Sequence, residues 1–581
     1  MFKNFRKNFL KCIFFLTYVF SSVCFGEISD EKLKKSAQDL EPIILNAMRE
    51  LNIPGCAFIV VRNDRIIHMG CFGKTEGNFK MSEKNKRIIK KNDPDNKNSD
   101  DISRDTLFPL SSLTKNITGF IAASLVQDGI IKFDDKVRSY IPDFFIGNEH
   151  ISSECTIRDL LSHRTGIRHF SGDSLWSAGY PKEKIVNSLR YIKKIKGFRT
   201  KYGYQNIIFG ISGDVFEKAS GLKYEDLAQK YIFSKLNLNH SSAIPLMYER
   251  GFFDYLKYRC SRFSYDMEKL GFFSACRDFI VSIFNHNSKK ISRNMSGYEG
   301  NVNILELNDY YQKLPATSSV AMSIEDLGTW IQMILSKGSY KGTQIISPEN
   351  FDELTSNIIE VKELKDDNLI FPKKRISDIH YGMGFFTADY GDNGKNKRHI
   401  MFHMGGIYGS GTFFACIPSE NFAIGILCNF GGTSQTLFAE LMSDQFLDMC
   451  FDFSKVDWVH EEVLHNEKNN EYKSRLHKEF IEKNMGSSEK MENYTGVYSS
   501  DIYGDMKVSI ENDQLVIDNG IRRAKLDHVI ANIFSFEAPD LCLNYFDRKE
   551  YVMFYKDDKG LSIDSMYISA LDEGNNIFKR K

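Results

Sequence analysis

One stretch constrains the fold of this chain more than any other: SLTKNITGFIAASLVQD, from Ser112 to Asp128. Ile117, Ile121 and Leu125 recur every fourth residue with Phe120 beside them, which is helical spacing, and Gly129 closes the run. So apolar a helix is expected to be buried. The text on either side predicts what covers it. GCAFIVVRNDRIIHMGCFG (55–73) reads as two strands joined at Asn63-Asp64. Strand-like runs return at 381–390, 398–406, 411–418 and 422–430, with helical text between at 156–162, 205–220 and 323–337. Strands at both ends of a helix-rich middle predict an α+β fold. Its antiparallel sheet joins the first and last pieces of the domain, with helices packed against it.

The 581 residues, 42% hydrophobic and 26% charged, leave room for at least two domains. Lys plus Arg and Asp plus Glu are both 76, so the net charge is zero, which argues against nucleic acid as a partner. Residues 1–26 read as a signal peptide: Lys3, Arg6, Lys7 and Lys11 precede an apolar stretch from Cys12 to Phe25, with small residues around Ser21, Ser22 and Gly26. An uncleaved membrane anchor is the alternative, but about 14 apolar residues is short against the roughly 20 of a membrane span. Cys24 invites a lipoprotein reading, which the bulky Val23 opposes. The expected location is periplasmic or secreted, with membrane attachment through an uncleaved leader left open.

Residues 80–101, KMSEKNKRIIKKNDPDNKNSDD, are predicted to form a surface loop. The main domain runs over 27–452, with an insertion about 251–300 that matches no pattern. A linker helix is expected at 453–490. From Met491 short alternating strands predict a small, barrel-like β domain over 491–581. The 11 cysteines include no Cys-x-x-Cys pair. Cys56, Cys416 and Cys428 sit in apolar runs and read as small buried hydrophobes. No metal site, cofactor or disulfide framework is indicated.

Chemistry concentrates at the start of the apolar helix. Ser112-Leu113-Thr114-Lys115 places a hydroxyl and an amine three residues apart on one helical face, about 5–6 Å between Cβ atoms. Burial lowers a lysine pKa, which lets the amine accept a proton near neutrality. The spelling alone is weak, because Ser29-x-x-Lys32 and Ser487-x-x-Lys490 repeat it in hydrophilic text. Context separates Ser112, since LFPLS leads straight into the buried helix. Tyr204-Gln205-Asn206 opens another helix, and cations beside Tyr204 are expected to push it toward phenolate, a general base. Asn206 is placed to hold a substrate amide and position Lys115. His403-Met404-Gly405 lies on a strand followed by Gly406. His403 is expected to supply a hydrogen bond or a positive charge, and the glycines let a substrate backbone lie flat.

In this order the blocks resemble the serine β-lactamase and penicillin-binding-protein family, in its class C β-lactamase, D-peptidase and esterase branch. The resemblance covers about residues 40–450. It includes PGCAFIVVRND, TLFPLSSLTK, TIRDLLSHRTGI (156–167), KYGYQNIIFGISG (201–213), SIEDLGTWIQMIL (323–335), YGMGF (381–385) and HMGGIYGSGTFF (403–414). YTGVYSS and GDMKVSI resemble the small lipocalin-like β domain appended to many members. The resemblance implies an all-helical subdomain beside the sheet, Ser112 as the nucleophile forming an acyl-enzyme, Lys115 as its proton partner and Tyr204 as general base. It implies an oxyanion hole from the backbone N–H groups of Ser112 and Gly406. Where β-lactamases carry Lys-Thr, this chain has His403-Met404, which removes a permanent cation and a hydroxyl. A small-molecule or peptide substrate of ester or peptide-like amide type is therefore expected, with weak or no β-lactam hydrolysis. The competing reading is an inactive scaffold or binding protein of the same family.

Two other spellings compete. Gly172-Asp173-Ser174-Leu175 matches the nucleophile block of another hydrolase family but follows a loop instead of a strand. His460 and His465 are five apart, so on a helix they point about 140° away from each other and do not share a metal.

Overall fold

The strand β1 (Gly55–Arg62) is buried along its whole length, and its alternate residues feed two different cores. In the computed structural model the described residues are 28–75, 79–80, 90–95, 100–192, 197–243, 295–298, 301–304, 313–362, 375–407, 409–429, 437–461, 463–464, 489–537, 541, 549–571 and 577–581. The expected leader, nearly all of the 251–300 insertion and most of the expected 453–490 linker lie outside them. No helix among the described residues is long and apolar enough to cross a membrane.

β1 pairs with β2 (Arg65–Gly73) across the expected Asn63-Asp64 turn, and Lys91–Asn92 adds a short edge strand, β3. The later strands are β4 (Ile359–Glu360), β5 (Ile376–Tyr381), β6 (Phe386–Asp392), β7 (Lys395–Ile407), β8 (Ser410–Ile417) and β9 (Phe422–Cys428). They form one nine-stranded antiparallel sheet in the order β4-β5-β6-β7-β8-β9-β1-β2-β3. The first and last pieces meet as expected, with Phe58 opposite Ile426. On one face Cys56, Phe58 and Val60 pack against α1 (Asp30–Glu50) and α7 (Leu437–Phe451). On the other, Ala57, Ile59 and Val61 join the core that holds α2 (Thr114–Gln127) and α6 (Ile324–Leu335). Each of the Phe, Ile and Val side chains contributes about 1.5–3 kcal/mol when fully buried. Cys56, Cys416 and Cys428 are buried, as expected.

The helical layer beside the sheet includes α3 (Asp173–Ser177), α4 (Asn206–Ser220) and α5 (Pro315–Ser318) around α2. Every residue of α2 from Thr114 to Leu125 is buried. Ser29, one of the repeated spellings, is the N-cap of α1, its Oγ accepting the Lys32 N–H at 3.1 Å.

Two local expectations differ from the structure. The run 381–390 is not one strand: it breaks between β5 and β6 because residues 382–384 cross α2. At Gly384, with φ +92°, a Cβ would lie 2.4 Å from the Lys115 carbonyl oxygen, and the Asn116 side-chain amide donates to the Gly384 carbonyl. Within the predicted loop 80–101, Lys91–Asn92 forms β3. The buried Asn92 amide donates to the carbonyls of Gly73 (2.7 Å) and Ile102 (3.2 Å), a fixing contact that polar composition conceals.

The C-terminal region is a closed antiparallel barrel of eight strands: β10 (Gly496–Ser500), β11 (Gly504–Glu511), β12 (Gln514–Asp518), β13 (Arg523–Ile530), β14 (Ile533–Glu537), β15 (Lys549–Lys556), β16 (Ile563–Ile568) and β17 (Ile577–Arg580). Tyr498 opposite Arg580 closes it. Barrel closure leaves no free sheet edge. The barrel touches the helical layer where Tyr503 Oη lies 2.8 Å from Ser174 Oγ, and where Ser188 Oγ donates to the Ile502 carbonyl at 3.0 Å.

Candidate active site

The nucleophile turn is built by a sharp change of direction. A short strand, Leu107–Pro109, leads into a single tight turn at Ser111–Leu113 and then into α2. Ser111 holds φ +50°, a left-handed conformation that costs a non-glycine residue about 1–3 kcal/mol and persists only where surroundings impose it. Among residues 106–125, Ser112 alone is not buried. One hydroxyl on an otherwise sealed segment is thereby open to a substrate.

Lys115 has no exposed surface. Its Nζ lies 3.2 Å from Ser112 Oγ, 2.8 Å from Asn206 Oδ1 and 3.4 Å from the Thr317 carbonyl oxygen on α5. The rings of Tyr204 and Phe209 stand 4.8 and 5.5 Å from the same nitrogen. Burial lowers its pKa to about 7, against a smaller opposing pull from Asp173. A neutral amine has two N–H bonds and one lone pair. Asn206 Oδ1 and the Thr317 carbonyl match the two donors, which leaves the lone pair for the Ser112 hydroxyl proton.

Tyr204 shares a hydrogen bond with the Ser112 side chain. Its pKa is nonetheless raised, first by burial and also by the charge of Asp173. The phenolate expected from neighbouring cations does not arise, because desolvation penalises the anion and the nearby amine carries only about half a charge at pH 7. Two histidines fix the Tyr204–Asn206 segment. His169 Nδ1 accepts the Tyr204 N–H at 3.0 Å, and His163 Nδ1 accepts the Gln205 N–H at 3.1 Å. The His163 ring lies 4.4 Å from that of Tyr204, and its pKa is held well below the ordinary range by burial and by Lys115. Neither histidine was singled out by sequence reasoning. TIRDLLSHRTGI stood out only as a block, and nothing in it says that a ring nitrogen accepts a backbone donor 42 residues away.

β7 runs beside the nucleophile turn. Its pairing with β6 ends at Phe402, so His403–Ile407 is paired on that side with no other strand of the sheet. Gly405 is required by proximity: a Cβ there would lie 2.3 Å from the Leu110 carbonyl oxygen and 3.1 Å from the Ser112 nitrogen. Gly406, the next residue, is partly exposed. Of the two roles expected of His403, a hydrogen bond or a positive charge, the second is absent. It is fully buried, with Nδ1 2.6 Å from the Met404 carbonyl oxygen and Nε2 3.1 Å from Tyr381 Oη. Burial, and secondarily Lys115, lowers its pKa to about 3. It is a neutral strut packed among Tyr381 and Phe386.

The Gly172–Leu175 spelling has a different meaning from the nucleophile block it matches. Ser174 is buried against Tyr503 of the barrel, whereas Asp173 Oδ2 accepts from Asn206 Nδ2 at 2.6 Å. Asp173 was dismissed on spelling and stands in the site. Among the described residues no group of histidine, cysteine and carboxylate side chains could hold a metal.

Residues 40–257 match the Beta-lactamase family model. An unguisins hydrolase of Aspergillus campestris is 26% identical over 371 residues, covering 61% of this chain and 59% of that protein. The N-acetylmuramyl-L-alanine amidase of Bacillus subtilis is 23% identical, covering 70% of this chain and 82% of the amidase. Protein flp of Staphylococcus aureus is 20% identical over 71% of this chain and 67% of its own length. The octameric penicillin-binding protein homologue from Pyrococcus abyssi shares the fold, with a TM-score of 0.52 and 15% identity over 94% of this chain and all of that one. The family model over residues 40–257 and the hydrolase relatives support a serine β-lactamase and penicillin-binding-protein-like family, whose fold the structural neighbour shares.

Proposed function

We propose that the protein is an exported serine hydrolase that cleaves peptide-like amides or esters through an acyl-enzyme on Ser112. The observation that carries this is the wholly buried Lys115, with its pKa near 7, 3.2 Å from the single accessible hydroxyl of its segment. Ser112 Oγ attacks the carbonyl carbon while its proton passes to the Lys115 amine. The carbonyl electrons move onto oxygen, which faces the backbone N–H groups of Ser112 and Gly406. Collapse expels the leaving amine or alcohol, protonated from the Lys115 ammonium by way of Tyr204, whose raised pKa suits a proton carrier more than a resting base. Water then repeats the sequence on the acyl-enzyme and releases the acid. One oxyanion donor is worth about 3–4 kcal/mol of barrier.

Relatives named as a hydrolase and as an amidase support an amide substrate. The neutral, buried His403 removes the cation that a β-lactam carboxylate would meet, so β-lactams are poor substrates. The charged and then apolar leader supports export, and zero net charge supports a small-molecule or peptide partner over nucleic acid.

The test is labelling of the full chain with a fluorophosphonate and a fluorescent penicillin, alongside turnover of D-Ala-D-Ala peptides, short-chain esters and a chromogenic cephalosporin. Wild-type labelling that disappears in Ser112→Ala is expected, with esters or peptides turned over faster than the cephalosporin. No labelling by either probe and no turnover would identify a binding or scaffold protein instead.

A further inference from the structure

We propose that Asp173 is a positioning residue of this site: its carboxylate orients the Asn206 side-chain amide so that the amide oxygen, and not its N–H group, faces Lys115. This rests on the reading of Ser112 and Lys115 given above.

The geometry is a short chain of hydrogen bonds. Asp173 Oδ2 accepts from Asn206 Nδ2 at 2.6 Å, and Asn206 Oδ1 accepts from Lys115 Nζ at 2.8 Å. A side-chain amide is nearly symmetric in shape, so only its partners decide which end points where. A carboxylate has no proton to donate and accepts only the N–H end. The flipped amide would set its NH₂ against the Lys115 amine, two donors face to face, and would free Lys115 to turn from Ser112. Asp173 is delivered by the start of α3, where Gly172 holds φ +94°. The barrel secures that start, since Tyr503 Oη meets Ser174 Oγ at 2.8 Å.

Asp173 also carries charge toward the amine. The titratable groups facing Lys115 are Asp173, His163, His403 and Tyr204. The two histidines are held neutral and the tyrosine protonated, so among the described residues the carboxylate is the charged neighbour. The carboxylate raises the amine pKa, so its removal should lower it further.

The experiment measures the rate of fluorophosphonate labelling of the full chain from pH 5 to 9, for wild type, Asp173→Asn, Asp173→Ala and Ser112→Ala. Labelled fraction at completion normalises each rate to folded protein. In wild type the rate should rise through a midpoint near 7. Both Asp173 variants should shift the midpoint down. The limiting rate should fall about tenfold in Asp173→Ala and less in Asp173→Asn, which keeps an acceptor oxygen. If wild type is labelled at Ser112 and the variants match it in midpoint and normalised rate, Asp173 has no positioning role and the active-site reading stands. If thermally intact wild type is not labelled at all, the reading of Ser112 is overturned and this proposal with it.

Discussion

Lys115 Nζ stands between Ser112 Oγ at 3.2 Å and Asn206 Oδ1 at 2.8 Å, so one buried amine ties the nucleophile turn to a helix that begins 91 residues later. Its burial sets both the reactivity of the site and a stability cost, and the predictions below separate the two.

Lys115→Met should abolish labelling of Ser112 and make the protein more stable. The folded pKa is about 7 against an ordinary 10.5. Between those values the unfolded chain binds a proton that the folded protein does not, so stability rises with pH through this window. Below it the full penalty applies, roughly 3–5 kcal/mol at about 1.4 kcal/mol per unit. Denaturant titrations at pH 6.5 and pH 10 should show the variant gaining about 2–4 kcal/mol at the lower pH and much less at the higher. Equal gains at both would show that Lys115 is not neutralised by folding.

The acid limb of the rate profile belongs to Lys115 and not to His403. With its pKa near 3, His403 stays neutral across the working range. His403→Leu should leave the midpoint near 7 in place. It should destabilise the protein by about 1–3 kcal/mol, because the buried Tyr381 hydroxyl loses a partner. A moved midpoint in a folded variant would return His403 to the chemistry.

Gly405→Ala should cost activity out of proportion to its size. The new methyl group would press on the Leu110 carbonyl, Thr412 Oγ1 and the Ser112 backbone nitrogen. Displacement of the nucleophile turn by about 1 Å is worth about a hundredfold in kcat/KM. Kinetics on a short-chain ester, together with a melting curve, measure the two effects separately.

Far from the site, Arg375→Met should destabilise the sheet edge without altering the pH midpoint. Arg375 is buried and donates to both carboxylate oxygens of Asp448 at 2.7 and 2.9 Å. Removing it leaves Asp448, whose pKa burial already raises, without its cation. Loss of one partner of a buried pair costs about 3–5 kcal/mol. Chemical denaturation gives the number, and an unchanged labelling rate in the surviving folded fraction confirms that the effect is confined to stability.

Much of the fold was legible before any coordinate. The Asn63-Asp64 hairpin, the apolar helix, the strand series closing back on β1 and the small β domain all follow from local patterns. Periodicity and turn residues act within a few positions of one another, and a sequence displays them in order. The errors were of one kind. Residues 382–385 carry strand-like text but turn because the backbone must clear α2, and Lys91–Asn92 look like loop but are fixed by the carbonyls that Asn92 reaches. Both depend on a neighbour distant in the chain.

The same division runs through the site. The sequence by itself determined that Ser112 and Lys115 share a helical face, that the helix is buried, and that Tyr204–Asn206 and His403–Gly406 begin or edge their elements. Only the tertiary structure decided protonation and partnership. It buried His403 as a neutral strut, kept Tyr204 a phenol, turned His163 and His169 into acceptors for backbone donors, and brought Asp173 against Asn206. The reason is physical. Spacing along a chain fixes which residues are local neighbours, whereas a pKa or a hydrogen-bond partner depends on desolvation and on charges that arrive from remote segments. Those are properties of the packed molecule, and no local pattern carries them.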